Sequence, residues 1–156
     1  MRMDVATHHR DITSYSSKGA SDPLKDTQRA IMWIEHYHRY AFATEALNTI
    51  ARECSEANWD GYDARPISND AYSEAQKLLR LIPVGLPMPD VTPEPAGPVA
   101  FEWHKGDHFL ILSVEGRGTI SYAGGSLQDA SDDTHGTVRF HDALPDAIVE
   151  RIRFLL

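Results

Sequence analysis

The sequence predicts a single α+β domain. Two segments with apolar residues three and four apart come first, three short alternating segments follow, and one more helical pattern ends the chain. The 156 residues, 42% of them hydrophobic, suit one domain with a substantial core. We therefore expect two helices, an antiparallel meander of three or four strands, and a C-terminal helix.

Residues 1–21 mix Ser, Thr, Gly and charged residues without periodicity. We expect a mobile tail, or an arm ordered by a partner, which leaves residues 22–156 as the folded domain. Asp22-Pro23 is a typical helix start, and helix-compatible residues continue to Asn58. A helix of that length would span about 50 Å, more than a small domain covers. It must bend, break or protrude.

The first helical segment has a seam of the coiled-coil type, made by Trp33, Tyr37, Tyr40, Thr44, Leu47, Ala51 and Cys54. Its first half, residues 31–40, is apolar or aromatic on nearly every side. Two interpretations are open. The aromatic side chains pack on the sheet, or Trp33, Tyr37 and Tyr40 anchor an oligomer or a partner protein, because Trp and Tyr are enriched at interface hot spots.

A structural corner is predicted where this segment ends, at Asn58, Trp59, Asp60, Gly61 and Tyr62. Asp60-Gly61 favours a turn in which the glycine takes a positive φ angle and the aspartate bonds local backbone. Trp59 and Tyr62 are expected to fold back over the helix end. This interpretation assigns the motif to folding and gives it no catalytic role.

The second helix is predicted from an N-cap at Ser68 to Ile82, with Pro83 ending it. Residues 83–98 hold six of the nine prolines and predict an extended, polyproline-like strap. Strands are then expected at 99–104, 108–115 and 119–123, joined by tight turns. Gly124-Gly125 would open a polar loop, residues 137–140 would add a fourth strand, and residues 145–155 would form the last helix.

The segment from Asn58 to about Phe140 resembles a group of uncharacterised bacterial and mobile-element proteins. The motifs that carry the resemblance are the run Asn58 to Ser68, Pro93-Glu94-Pro95, Phe101-Glu102-Trp103 and Ser121-Tyr122-Ala123-Gly124. The resemblance brings no activity with it. The first helix lies outside it, which suggests that the function particular to this chain belongs to that helix.

Charge and cysteine content exclude several classes of function. A net charge of -8 disfavours direct nucleic-acid binding and favours a protein partner with a basic surface. Cys54 is the only cysteine and cannot form an internal disulfide, which suits a reducing cytoplasm. No apolar run approaches the ~20 residues of a membrane span. We expect a cytoplasmic protein.

Side chains that could act in catalysis or bind a metal form only weak patterns in this sequence. His104 and His108 could meet across a hairpin, and Glu102 could pair with His104 as base and orienting group or as a surface ion pair. Asp129, Asp132, Asp133 and His135 form an acidic loop whose spacing is not that of an EF-hand. We predict no catalytic residue, metal or cofactor.

Two classes of function follow. In the first, the protein is a non-enzymatic binding module whose contacts are Trp33, Tyr37, Tyr40, Asp129, Asp132 and Asp133. Such an acidic protein could inhibit or regulate a nucleic-acid-handling defence complex, as anti-CRISPR proteins and antitoxins do. In the second, it is a small metal-dependent hydrolase that uses the His104/His108 hairpin and the acidic loop. A homodimer joined along the first helix is a further alternative.

Overall fold

A computed structural model describes residues 22–155 of the chain. The predicted tail at residues 1–21 and Leu156 lie outside the described residues. The α+β class is confirmed, but the sheet has five strands. The elements are α1 (Pro23–Glu53), α2 (Asn69–Leu81), β1 (Asp90–Pro93), β2 (Val99–Lys105), β3 (His108–Val114), β4 (Thr119–Ser126), a 3-10 turn (Ala130–Asp132), β5 (Thr134–Arg139) and α3 (Asp146–Phe154).

Helix α1 is continuous over 31 residues, about 46 Å, and it protrudes. The Asp22 side chain caps it by accepting a hydrogen bond from the Leu24 amide, as expected. Every residue from 22 to 35 is exposed, whereas Ala43 and Leu47 are fully buried. The helix ends at Glu53, five residues before the predicted end. Its C-terminal half is anchored in the domain, and its N-terminal half projects from it.

The corner after α1 is held by local hydrogen bonds. Asp60 accepts from the backbone amides of Tyr62 and Ala64, which confirms the expected local bonding. Asn58 adopts a φ of 63°, and the Trp59 indole donates to the Arg65 carbonyl at 2.9 Å. Trp59 packs against the core, but Tyr62 is 89% exposed, so the prediction that Tyr62 folds over the helix end was wrong.

Helix α2 begins at the Ser68 cap, as predicted, and buries one face against the sheet. Its Glu74 carboxylate accepts two hydrogen bonds of 2.8 Å, from the backbone amides of Gly116 and Gly118. These glycines belong to the turn between β3 and β4 and both have positive φ. The second helix and the sheet are therefore joined by a charged clamp as well as by apolar packing.

The strands form an antiparallel meander in the order β1-β2-β3-β4-β5. The proline-rich strap is not a simple connector, because residues 90–93 pair with β2 as an edge strand. Prolines are tolerated there because one side of an edge strand has no ladder to break. Gly124 and Gly125 lie inside β4, so the predicted loop was wrong. A side chain at Gly124 would lie 3.0 Å from the Phe109 carbonyl, so this strand position is too close for one.

The core lies between the helices and one face of the sheet, where Phe101, Leu112 and Ile120 are fully buried. Helix α3 completes it with the predicted stripe, Leu144, Ile148, Ile152 and Leu155, all of which are buried. The other face of the sheet carries residues such as Glu102, Ser121 and Thr137. Among residues 22–155, no helix combines the length and the apolar character that crossing a membrane requires.

Candidate functional site

The projecting half of α1 forms a groove with the end of α2. The groove has a volume of about 390 Å³, and we call it the aromatic groove; it is lined by Trp33, His36, Tyr37, Tyr40, Leu79 and Arg80. Trp33 is 57% exposed and Tyr37 is 68% exposed, whereas Tyr40 packs against the core. The interpretation that all three aromatics pack on the sheet is therefore wrong for Trp33 and Tyr37.

Helical phase explains this arrangement. At about 100° per residue, Trp33, Tyr37 and Tyr40 lie within about 60° of one another, on the side of α1 that continues the buried stripe at Leu47. The domain ends before that stripe does, so the same helix face is covered near Leu47 and open near Trp33. Leu79, buried on α2, forms the apolar wall of the groove at the point where the domain ceases to cover this face of α1.

His36 lies between the aromatic groove and a second, smaller groove of about 290 Å³ that Met32, Leu86 and Pro87 also line. Its Nδ1 atom is buried without a hydrogen-bond partner, and burial lowers the pKa of the imidazole. His38 is exposed and lies about 200° away around the helix. The two histidines therefore cannot share a ligand.

The acidic loop is not part of this groove. Asp129, Asp132 and Asp133 are exposed between β4 and β5, whereas α1 contacts β1 at the other edge of the sheet. Four strand spacings of about 4.8 Å separate the two edges, about 19 Å in all. Hydrogen bonding from the Ser131 side chain, and secondarily from the Ser131 amide, lowers the pKa of the Asp129 carboxyl group. The two sets of predicted partner-binding residues therefore form two separate surfaces.

The hairpin proposed as a metal site is not assembled as expected. His104 pairs with Phe109 and Lys105 pairs with His108, so the two histidines alternate to opposite faces of the sheet. His108 packs edge-on against Phe154 of α3, with ring centroids 5.3 Å apart. Across residues 22–155, no three His, Cys, Asp or Glu side chains come together in a geometry that could hold a metal. The hydrolase hypothesis loses the histidine pair on which it depended.

Glu102 and His104 do meet on the sheet face that points away from the helices, at 3.3 Å. The other carboxylate oxygen of Glu102 accepts a hydrogen bond of 2.6 Å from Thr92 in β1. Both oxygens are thus occupied, one by Thr92 of the edge strand and the other by His104 within β2 itself. Of the two readings offered by the sequence, the geometry favours the surface ion pair.

Cys54 is buried at the end of α1. Burial, and secondarily the neighbouring Glu53 carboxylate, raise the pKa of its thiol. A thiol in this environment stays protonated near neutral pH, and the thiolate is the nucleophilic form. Cys54 therefore acts as a small apolar side chain, as its position on the seam predicted.

A further cavity, about 500 Å³, lies between α3 and the ends of β3, β4 and β5. His108 and Arg151 are its principal cationic or basic groups. Arg151 donates to the Thr134 hydroxyl at 2.9 Å and lies over the Tyr122 ring at 5.1 Å. Because both contacts hold the guanidinium in place, we assign Arg151 to the packing of α3 on the sheet.

Comparison of the chain with protein-family models, curated proteins and solved structures returned no match. The resemblance of the corner motif to mobile-element proteins therefore stays a prediction. The residues that sequence reasoning missed in the groove are His36, Leu79 and Arg80. His36 lies in the apolar and aromatic stretch at residues 31–40 but was not singled out there, and the two α2 residues join the groove only through the packing of α2 on α1.

Proposed function

We propose that this protein is a non-enzymatic binding module that engages another protein through the aromatic groove. The observation that carries the proposal is the exposure of Trp33 and Tyr37 beside a buried apolar wall at Leu79. Large aromatic side chains left open beside an apolar recess are typical of binding hot spots, where a few residues supply most of the affinity. Arg80 at the groove border adds a group that can pair with a partner carboxylate or carbonyl.

The charge of the chain favours a partner with a basic surface. The net charge of -8 attracts such a surface over a distance and raises the association rate. The acidic loop, three to four strand spacings or about 14 to 19 Å from the edge of the sheet that α1 contacts, fits this steering role better than a role in the groove contact itself. We therefore assign affinity to the groove and long-range attraction to Asp129, Asp132 and Asp133.

The more specific proposal is that the partner belongs to a nucleic-acid-handling defence complex, which this protein inhibits or regulates in the manner of an anti-CRISPR protein or an antitoxin. Two arguments support it. Basic grooves that bind nucleic acid also attract carboxylates, which this acidic chain supplies, and the sequence of the Asn58 to Tyr62 corner predicts a likeness to mobile-element proteins. The groove itself supports protein binding in general.

Affinity purification from the native host tests the proposal. The bait is the full chain, compared with a Trp33→Ala/Tyr37→Ala variant and with Leu127→Ala, which removes another exposed apolar side chain, 74% exposed, far from the groove. The wild type and Leu127→Ala should recover the same partner, and the double variant should lose it, because each hot-spot residue is worth about 2 kcal/mol or more. Equal recovery by all three baits would refute the groove as the binding site.

Salt titration of the purified complex tests the role of charge separately. Replacing the three loop aspartates by asparagine should lower the association rate and flatten its salt dependence, while leaving the dissociation rate nearly unchanged. A change confined to the dissociation rate would show that the acidic loop is a direct contact.

A further inference from the structure

The projecting half of α1 has a second apolar face, opposite the one that leads into the core. We call it the outer seam; it consists of Leu24, Thr27, Ile31, Ile34, His38 and Ala41, with Phe42 at its border, all exposed. These residues follow alternating steps of three and four. At about 100° per residue they occupy an arc of about 100° whose centre lies about 170° from the buried Leu47.

The outer seam is unusual for a surface in contact with water. Leu24 and Phe42 are 76% and 79% exposed, and Ile31 and Ile34 are 51% and 57% exposed. Beyond Phe42 the same side of the helix turns polar, with Glu45, Asn48, Thr49 and Arg52. The apolar face thus lies on the half of α1 that the domain covers least, where helix propensity alone gives little stability.

We propose that the outer seam pairs with the outer seam of a second copy of this chain, as an antiparallel two-helix contact. The alternating spacing is the pattern that two helices need in order to interlock their side chains. The apolar stripes of α2 and α3 are already buried in the core. Among the helices in residues 22–155, this leaves α1 with an apolar seam exposed to solvent. The outer seam is also self-complementary in the size and the polarity of its side chains.

In the antiparallel register, Ile31 of one copy lies against Ile34 of the other, twice, at the centre of the contact. Thr27 then lies against His38, so the two polar seam residues meet each other. The large Leu24 lies against the small Ala41, with Phe42 covering the end. This register pairs every residue of the outer seam with one residue of the other copy.

The antiparallel direction is favoured by charge. Each copy carries a net charge of -8, and antiparallel pairing places the two domains at opposite ends of the helix pair. It also separates the two His38 side chains, which parallel pairing would stack in one layer. The helix dipoles oppose each other in this arrangement as well.

The area available is enough for a dimer of moderate affinity. The four large side chains are about two-thirds exposed on average, so at ~175 Å² each they bury about 900 Å² in the pair. Thr27, His38 and Ala41 bring the total to about 1,200 Å², the lower limit of stable interfaces. Trp33 and Tyr37 lie about 90° or more from the centre of the seam, so the dimer would keep two aromatic grooves open.

Sedimentation of the full chain over about 1 to 200 µM tests the proposal, because this range covers dissociation constants from about 1 µM to the upper micromolar range. The apparent mass should rise to twice the 17.5 kDa of the chain. An Ile31→Glu/Ile34→Glu variant should stay monomeric throughout. Its helical circular dichroism signal should fall by no more than the contribution of the projecting half of α1. The Trp33→Ala/Tyr37→Ala variant is the matched control and should dimerise like the wild type.

A wild type that stays monomeric at the highest concentration, or a glutamate variant that still dimerises, would overturn the proposal. The relative direction of the two α1 helices is tested by oxidation of a mixture of Thr27→Cys and His38→Cys chains. The native Cys54 does not interfere because it is buried. The antiparallel register predicts disulfides between the two different variants, and links only between identical chains would refute it. Partner binding depends on the other helix face, so failure here and failure of the proposed function are distinguishable.

Discussion

The clamp between Glu74 and the β3–β4 turn gives the most direct test of the energetics of this fold. The Glu74 carboxylate accepts hydrogen bonds of 2.8 Å from the backbone amides of Gly116 and Gly118, and all three residues are half-buried. Hydrogen bonds to a charged group contribute about 1.5–3 kcal/mol each. Because water can replace part of each bond, we take the lower end and expect Glu74→Ala to lower the free energy of unfolding by about 3 kcal/mol.

Glu74→Gln separates the two bonds. The amide keeps one oxygen acceptor but turns its NH₂ group towards the second amide, so this variant should lose about half as much, ~1.5 kcal/mol. Urea unfolding followed by the fluorescence of the packed Trp59 and Trp103 measures both values. Glu45→Ala, an exposed change on α1, is the control and should stay within about 0.5 kcal/mol of the wild type. A Glu74→Ala loss below about 1 kcal/mol would contradict the clamp.

Two further predictions concern single residues. Gly116→Ala should destabilise the fold by about 2–4 kcal/mol in the same unfolding assay, because φ is +81° and a Cβ atom would lie 2.5 Å from the Ala71 amide nitrogen; an unchanged midpoint would contradict the close approach of turn and helix. Burial lowers the pKa of His36, so the unfolded chain binds more protons and stability should fall as the pH drops through about 6.5. His36→Leu should reduce this slope in unfolding curves taken on both sides of that pH, and an identical slope would rule out His36 as its source.

Local patterns in the sequence predicted the helices well. Asp22 and Ser68 cap α1 and α2 as expected, since capping depends on neighbours two or three residues away. The buried stripe of α3 was also correct, because it follows from helical periodicity. Each of these features is determined within one segment of chain.

The features that sequence reasoning missed depend on other segments. Strand β1 was hidden by its prolines, and it exists because β2 offers a ladder to residues 90–93. Gly124-Gly125 is a sequence typical of turns. In the structure both glycines lie in a strand, where the absence of a side chain lets neighbouring chain segments approach closely. His104 and His108 were separated by a register that only the two-residue turn at 106–107 defines.

The candidate site was predicted in part for the same reason. Trp33 and Tyr37 were recognised as excess apolar surface on a helix that is too long for its domain. Leu79 and Arg80 could not be, because nothing in the sequence states where α2 crosses α1. The separation of the acidic loop from the groove likewise follows from strand order.

The continuity of α1 sets the orientation of whatever it carries. Each residue in a helix turns the chain by about 100° and advances it by about 1.5 Å. Deleting one residue between Tyr40 and Ala43 would therefore leave the anchored half in place and rotate the projecting half by a little more than a quarter turn. The aromatic groove would lose its α2 wall while its own residues remained intact. If the aromatic groove binds a partner as proposed, the number of residues between the anchored half and the projecting half matters for that binding, separately from the identity of any one residue.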